Sequence, residues 1–179
     1  KYGKMKLVPF GEKVPFVEYF PELADFIRWE VGLSGWNKWE KKTVFKATFD
    51  DYELKFNCLI CYESVYPFFV ADFFNESSLD FLTIITNDSW YGYSSGPFQH
   101  RDFAKLRAIE NRRAIARCAN GGISCYINPF GEIEKQIDLF TKNILTFDLS
   151  LEKEISFFTK YPYLIPAISL SVLFFSTSY

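Results

Sequence analysis

The chain has 179 residues, of which 49% are hydrophobic and 23% are charged, so it is long enough to fold as one sizeable domain with an apolar core. The formal net charge of −2 gives no basic surface of the kind that binds nucleic acid, which excludes nucleic acid as a partner. Aromatic residues make up 20% of the chain, which is typical either of a heavily aromatic core or of a surface that meets lipid.

The cysteines predict neither a disulfide framework nor a metal site. There are four of them, and no cluster of His, Cys and carboxylate residues has metal-ligand spacing, so we expect no metal and no other cofactor. Cys58 and Cys61 lie three residues apart on a predicted strand and would face opposite sides of the sheet, which disfavours joint chelation. Cys118 and Cys125 are predicted to be small buried hydrophobic residues.

An aromatic insertion is predicted at residues 16–42, where Phe, Tyr and Trp are spread among Gly and Ser without a regular period. Such a segment is typical of a long loop with short helical pieces. It would act as a lid or as an arm that dips into lipid, or it would simply cover the core of its own domain, and the sequence leaves these alternatives open.

Three strands are predicted in the next part of the chain. Residues 43–50 and Tyr52–Ile60 have the composition of strands, and the second of them delivers Cys61 at its C-terminal end. Residues 81–86 form an apolar run that predicts a strand buried on both faces. The polar residues 87–89 that follow would lie beside Cys61 if the two strands are neighbours.

Helices are predicted at residues 66–74, with Pro67 in the first turn, and at residues 98–118, where Gly121 and Gly122 would end the helix. Segments 123–128, 133–137 and 144–149, with a turn at 129–132, predict a β-meander. Glu110, Arg113 and Arg117 are interpreted as charge pairs that stabilise the fold. The alternation of strands and helices predicts an α/β layered fold.

The C-terminal segment from Tyr161 to Tyr179 contains no charged residue, and about 20 such residues are needed to cross a bilayer. We expect a membrane span that the end of the chain truncates. Two prolines and several Ser and Thr residues keep open the alternative of an apolar tail packed on the domain.

A cysteine near a lysine predicts nucleophilic chemistry. A thiol acts in acyl transfer as the thiolate, so it needs a base to take its proton and a cation to stabilise the anions that follow. Cys61 is the candidate nucleophile and Lys4 the candidate cation. The base is expected to be a carboxylate upstream of Lys4, before the first residue of this sequence, and without it we expect this chain alone to be nearly inactive.

Five motifs together resemble the nitrilase superfamily, and within it the apolipoprotein N-acyltransferases. They are Tyr2-x-Lys4-x-x-Leu7-Val8-Pro9-Phe10-Gly11-Glu12, Ile60-Cys61-Tyr62-Glu63, Asn87-Asp88-Ser89-Trp90-Tyr91-Gly92, Gly96-Pro97-x-Gln99-His100 and Arg107-Ala108-x-Glu110-x-x-Arg113. The resemblance implies a four-layer α-β-β-α sandwich, present in part over residues 1–158 and lacking its N-terminal portion. A transmembrane segment at 161–179 would follow it.

The resemblance also implies a reaction. Cys61 would take an acyl chain from a phospholipid such as phosphatidylethanolamine as a thioester, and pass it to the N-terminal amine of the diacylglyceryl cysteine of an apolipoprotein. The enzyme would lie in the bacterial inner membrane with its catalytic domain facing the periplasm. A soluble amidase that acts on small amides, and a binding module that keeps the fold without the chemistry, remain as alternatives.

The resemblance assigns roles to individual residues. Lys4 would stabilise the tetrahedral oxyanion together with the backbone N–H of Tyr62. Glu12 would orient Lys4 or tune the thiol, and Glu63, on the same side of an extended chain as Cys61, would do similar work, although either is equally compatible with a structural ion pair. Trp90 and Tyr91 would lie near the acyl pocket. His100, the only histidine, is interpreted as making a structural hydrogen bond rather than a Cys–His dyad.

Overall fold

The computed structural model describes residues 1–13, 19, 37–50 and 52–176, in two compact units, Lys1–Thr43 and Val44–Tyr179. In the first unit, a tight turn brings the backbone N–H groups of Gly11, Glu12 and Lys13 to the carbonyl of Val8. Most of the predicted aromatic insertion at 16–42 lies outside the described residues.

The second unit is built on one six-stranded sheet in which the strands follow chain order from β1 to β6. β2, β3 and β4 are parallel, whereas β1 and β2, β4 and β5, and β5 and β6 pair antiparallel. The predicted α/β class is therefore confirmed as a mixed sheet with helices, and the second sheet of a four-layer sandwich stays a prediction. The strands are β1 (Phe45–Phe49), β2 (Tyr52–Ile60), β3 (Phe81–Asn87), β4 (Ile115–Asn120), β5 (Ser124–Ile127) and β6 (Ile133–Ile137).

Two crossover helices connect the parallel strands, as parallel pairing requires. Helix α1 (Pro67–Glu76) begins with a proline at its first turn, as predicted, and helix α2 (Gly96–Asn111) joins β3 to β4. Leu59, Leu82 and Ile84 lie fully buried on one face of the sheet.

The prediction that β3 is buried on both faces is wrong. Leu82 and Ile84 are fully buried, but Ile85, on the opposite face, is 46% exposed among the described residues. An apolar run of β-branched residues therefore does not distinguish a strand covered on two faces from one covered on a single face.

The predicted helix over 98–118 is wrong in its second half. Helix α2 ends at Asn111 because Arg112 adopts a left-handed conformation with φ of 50° and donates its N–H to Ala108. Residues 115–120 form β4, and Gly121 and Gly122 make the turn to β5 rather than the end of a helix.

Cys118 is correspondingly exposed, which contradicts its predicted burial, whereas Cys125 is buried as predicted. Burial raises the pKa of the Cys125 thiol to about 11.

The predicted meander is confirmed for its first two strands. The turn between β5 and β6 is organised by Asn128, whose side-chain oxygen accepts hydrogen bonds from the N–H groups of Phe130 and Glu132. Residues 144–149 do not form a strand, which corrects that prediction. They lie against the sheet instead, with Phe147 stacked on Tyr126 at 4.5 Å between ring centroids.

The end of helix α2 is fastened to the C-terminal segment by polar contacts. Ser156 donates to the carbonyl of Glu110, and the Thr159 hydroxyl donates to the Asn111 side chain at 2.9 Å. Arg113, fully buried, donates to the carbonyls of Leu79 at 2.6 Å and of Glu154 at 2.7 Å. We call these contacts the C-terminal clasp.

Two helices close the described chain: α3 (Phe157–Lys160) and α4 (Leu164–Ser176). Every residue of α4 is exposed. Within the described residues, no helix has both the length and the apolar character needed to span a bilayer. The predicted span at 161–179 is thus helical over 13 residues, and as a membrane span it stays a prediction.

Candidate active site

Cys61 lies on a sharp turn at the C-terminal end of β2. Its φ of 54° is in the left-handed region, which a residue with a side chain occupies only when the surrounding structure holds it there. Cys61 also begins a short 3₁₀ helix, Cys61–Val65, which we call the elbow helix. A strand that ends in such a turn presents one side chain beyond the edge of the sheet, as nucleophile elbows do.

Glu63 is fully buried and stabilises this turn. Its carboxylate accepts a hydrogen bond from the backbone N–H of Ile60 at 2.7 Å. The expected placement on the same side of an extended chain as Cys61 is wrong, because the chain is helical from Cys61 onward. Burial, opposed in part by a hydrogen bond with Thr83 and reinforced by the charge of Glu63, raises the pKa of Cys58, which disfavours Cys58 as a nucleophile.

Three buried charged or ionisable side chains lie behind the elbow, and we call Asp88, His100 and Arg117 the buried cluster. Arg117 donates to one oxygen of Asp88 at 2.6 Å, and His100 Nδ1 lies 2.8 Å from the other. Burial alone would raise the pKa of Asp88, but the hydrogen bond with His100 and the charge of Arg117 outweigh it and lower that pKa. Asp88 is therefore a carboxylate at neutral pH.

The other ring nitrogen of His100 faces the elbow itself. His100 Nε2 lies 3.2 Å from the carbonyl oxygen of Cys61 and 3.3 Å from Ser64 Oγ, and Ser64 Oγ donates to the same carbonyl at 3.0 Å. The predicted structural hydrogen bond of His100 is present. Among the described contacts, those from its ring to Cys61 go to the backbone oxygen, which is not the geometry of a Cys–His dyad.

Trp90 and Tyr91 form a short 3₁₀ helix with Ser89, and their rings stack at 4.2 Å. Trp90 is 60% exposed, so it is a surface residue and not part of the core. Burial, followed by the negative charge of Asp88, raises the pKa of Tyr91. Tyr62 packs edge-on against Tyr66 with ring centroids 5.4 Å apart.

Lys4 and Glu12 form an ion pair in the first unit. Lys4 Nζ lies 2.7 Å from one oxygen of Glu12, and the other oxygen accepts from the N–H of Val8 at 2.8 Å. The Lys4 side chain is 12% exposed, so it is held rather than solvated. The contact is the one expected of a glutamate that orients the lysine, and the catalytic roles of both residues stay predictions.

Sequence reasoning missed the buried cluster as a unit. In the sequence, Asp88 and His100 belong to two different motifs, and the charge pattern predicts that Arg117 lies in a helix. The available signal was that Asp88 follows β3 directly, and β3 pairs in parallel with the strand that carries Cys61. The described residues contain no group of three or more His, Cys, Asp or Glu that could hold a metal ion.

Comparison with known proteins identifies the family. Residues 1–157 match the model of the carbon-nitrogen hydrolases. The chain is 42% identical over 172 residues to the apolipoprotein N-acyltransferase of Chlorobaculum tepidum. The alignment covers 96% of this chain and 32% of that protein. It is 35% identical over 182 residues to the apolipoprotein N-acyltransferase of Rickettsia typhi, covering 99% of this chain and 35% of that protein.

Among solved structures, an amidase from Nesterenkonia sp. AN1 aligns with a TM-score of 0.49 at 15% identity, over 77% of this chain and 47% of that one. The chain spans about a third of the length of the curated relatives it matches. With its family match over nearly the whole sequence, the chain belongs to the carbon-nitrogen hydrolase family and is similar to the apolipoprotein N-acyltransferases.

Proposed function

We propose that this chain carries catalytic residues of an enzyme that transfers an acyl chain from a phospholipid to the N-terminal amine of a diacylglyceryl apolipoprotein. The observation that carries the proposal is the left-handed elbow at Cys61, in a chain 42% identical to a protein named for this activity. The acyl donor would be a phosphatidylethanolamine-like lipid.

The proposed reaction has two steps. In the first, the Cys61 thiolate attacks the ester carbonyl, a C–S bond forms, the C–O bond breaks, and the lysophospholipid leaves with a proton. In the second, the lipoprotein amine attacks the thioester, an amide forms, and the thiol is regenerated. A thioester is more reactive toward amines than the ester from which it came, so the second step runs downhill.

Both steps pass through a tetrahedral oxyanion. Lys4 and the backbone N–H of Tyr62 would stabilise it, and one well-placed donor contributes about 3 kcal/mol to lowering the barrier. The Glu12 carboxylate, which contacts Lys4 at 2.7 Å, would hold the ammonium in place. The general base would be a carboxylate, as the family resemblance implies.

Exposed apolar groups support a lipid substrate. Trp90 is mostly exposed beside Tyr91, and the residues of α4 are exposed throughout. Amphipathic aromatic rings and apolar helices favour the membrane interface and interior. We accordingly propose a position in the bacterial inner membrane, with Trp90 and Tyr91 near the acyl chain and the catalytic residues on the periplasmic side.

The test follows the thioester. The protein, expressed from its complete gene and purified in detergent, is incubated with phosphatidylethanolamine and then with a diacylglyceryl-cysteine peptide. Mass spectrometry should find the acyl chain on the Cys61 peptide first and on the peptide amine afterwards. Cys61→Ser should abolish both products, and Cys118→Ser, at an exposed cysteine on β4, should retain them.

Other outcomes would identify the alternatives. Hydrolysis of small amides, with no acyl transfer from phospholipid, would replace the proposal with a nitrilase-like amidase. An iodoacetamide rate at Cys61 no faster than that of a free cysteine, with neither activity, would indicate a binding module.

A further inference from the structure

The buried cluster contacts the backbone of Cys61 through His100, and the donors and acceptors in its hydrogen bonds indicate which ring nitrogens of His100 carry a hydrogen. Asp88 is a carboxylate and can only accept, so His100 Nδ1, 2.8 Å away, carries a hydrogen. The carbonyl oxygen of Cys61 can also only accept, and it lies 3.2 Å from His100 Nε2. His100 therefore faces an acceptor from each of its two nitrogens.

Ser64 cannot replace the second imidazole proton. Its hydroxyl has one hydrogen, which it donates to the Cys61 carbonyl at 3.0 Å or to His100 Nε2 at 3.3 Å, but not to both. With Nε2 unprotonated, a nitrogen lone pair would face the carbonyl lone pairs at 3.2 Å. With Nε2 protonated, every one of these contacts has a donor and an acceptor.

The carbonyl that His100 contacts belongs to the peptide bond between Cys61 and Tyr62. A trans peptide is planar, and its C=O and N–H point in opposite directions. Fixing the direction of the Cys61 carbonyl therefore also fixes the direction of the Tyr62 N–H. That N–H lies in the first turn of the elbow helix, where backbone donors have no acceptor within the helix.

We propose that His100 is a positioning residue, held as an imidazolium between Asp88 and the Cys61 carbonyl, that aims the Tyr62 N–H at the reacting oxyanion. The inference rests on the proposed function for its role in acyl transfer, and the geometry holds for any acyl group that Cys61 accepts.

The position of Asp88 is itself fixed by close packing. Gly122 has no side chain, and a Cβ there would lie 2.5 Å from one carboxylate oxygen of Asp88. Thr86 Oγ1 donates to the other oxygen at 2.9 Å, and the N–H of Asp88 donates to the carbonyl of Asn120. The carboxylate is thereby locked where it can hold the imidazole ring.

The first test observes His100 directly. His100 is the only histidine of these 179 residues, so this chain labelled with ¹⁵N-histidine gives the signals of one imidazole in a long-range ¹H–¹⁵N spectrum. At pH 7 both ring nitrogens should be protonated. An unprotonated Nε2 would overturn the proposal, and this result does not depend on the natural substrate.

The second test separates the two contacts of the ring. In His100→Asn, the side-chain NH₂ group takes the place of Nδ1 and still donates a hydrogen bond to Asp88. In His100→Gln, the longer side chain puts its NH₂ group at the position of Nε2, where it still donates to the Cys61 carbonyl. The readout is acylation of Cys61 by a p-nitrophenyl ester, which uses the oxyanion site whatever the natural substrate is. His100→Asn should lower the acylation rate about 100-fold and change KM less than 3-fold. His100→Gln should lower the acylation rate less than 10-fold.

The reverse order, with His100→Asn the more active, would show that His100 serves only to neutralise Asp88 and would overturn the proposal.

Alkylation of Cys61 by iodoacetamide is the control, because this reaction forms no oxyanion. Its rate, relative to that of Cys118 in the same molecule, should stay within 2-fold of the wild-type ratio in both variants. If both variants fail to fold, the wild-type spectrum still decides. Wild-type acylation by the ester without transfer from phospholipid would refute the proposed function alone.

Discussion

Removal of Arg117 tests the energetics of the buried cluster. Its guanidinium lies 2.6 Å from Asp88, and both side chains are completely buried. Breaking a buried pair by removing one partner costs about 3–5 kcal/mol, because the remaining charge is left in a low-dielectric interior. His100 still contacts Asp88 in Arg117→Leu, so we expect a loss near the lower limit, about 3 kcal/mol in the free energy of unfolding at pH 7.5.

The pH dependence of this loss is specific. The pKa of Asp88 is lowered in the folded protein, so its contribution to stability is present above the unfolded pKa and is lost as the pH falls through the folded one. Without Arg117 the pKa of Asp88 rises, and the carboxyl group is protonated at a higher pH. The stability difference between wild type and variant should therefore shrink between pH 7.5 and pH 4.5.

Urea denaturation at several pH values measures both effects. Arg101→Leu is the matched control, because its partner Asp102 has a side chain that is 51% exposed, and removal of a pair whose carboxylate is solvated costs about 0–1 kcal/mol. Equal losses for the two variants, or a loss at Arg117 that does not change with pH, would refute the assignment of Asp88 as a buried carboxylate held by its cations.

Three further predictions concern the elbow, the ion pair and the buried thiol. Gly122→Ala should slow the acylation of Cys61 by the p-nitrophenyl ester at least 10-fold and lower the free energy of unfolding by about 1–3 kcal/mol. The reason is that the new Cβ displaces the Asp88 carboxylate of the buried cluster. An acylation rate equal to that of the wild type would contradict this. Lys4→Ala should lower the acylation rate about 100-fold, whereas the same change at Lys6, the lysine two residues further along the motif, should leave the rate within 2-fold of wild type; equal rates for the two variants would argue against the oxyanion role of Lys4. Cys125, with its pKa raised to about 11, should resist iodoacetamide at pH 8 until the protein unfolds, whereas the exposed Cys118 reacts; labelling of Cys125 in the folded protein, detected by mass spectrometry, would contradict its burial.

Local patterns predicted the elements whose structure depends on nearby residues. Two predictions are confirmed: the alternating strand that ends directly before Cys61, and the helix α1 that begins with a proline. Each follows from the steric preference of a few neighbouring residues. The proximity of residues 87–89 to the elbow was also predictable, since adjacent parallel strands end at the same edge of the sheet.

The errors arose where distant contacts decide the structure. The continuation of the charge pattern past Asn111 favoured a longer helix, but Arg113 is drawn away by carbonyls 34 and 41 residues distant in the chain. The contact of His100 with the Cys61 carbonyl likewise joins residues 39 apart. No local period encodes such a pairing, and a single histidine in the sequence says nothing about which backbone atom it meets.

The C-terminal clasp sets a limit on how far the protein can be shortened. A version that ended before Glu154 would leave the buried guanidinium of Arg113 with one fewer acceptor, and a version that ended before Ser156 would also remove the two hydroxyl groups that cover the last turn of α2. Any trimmed form made for crystallography or NMR should therefore retain the chain through α3, whatever is done with α4.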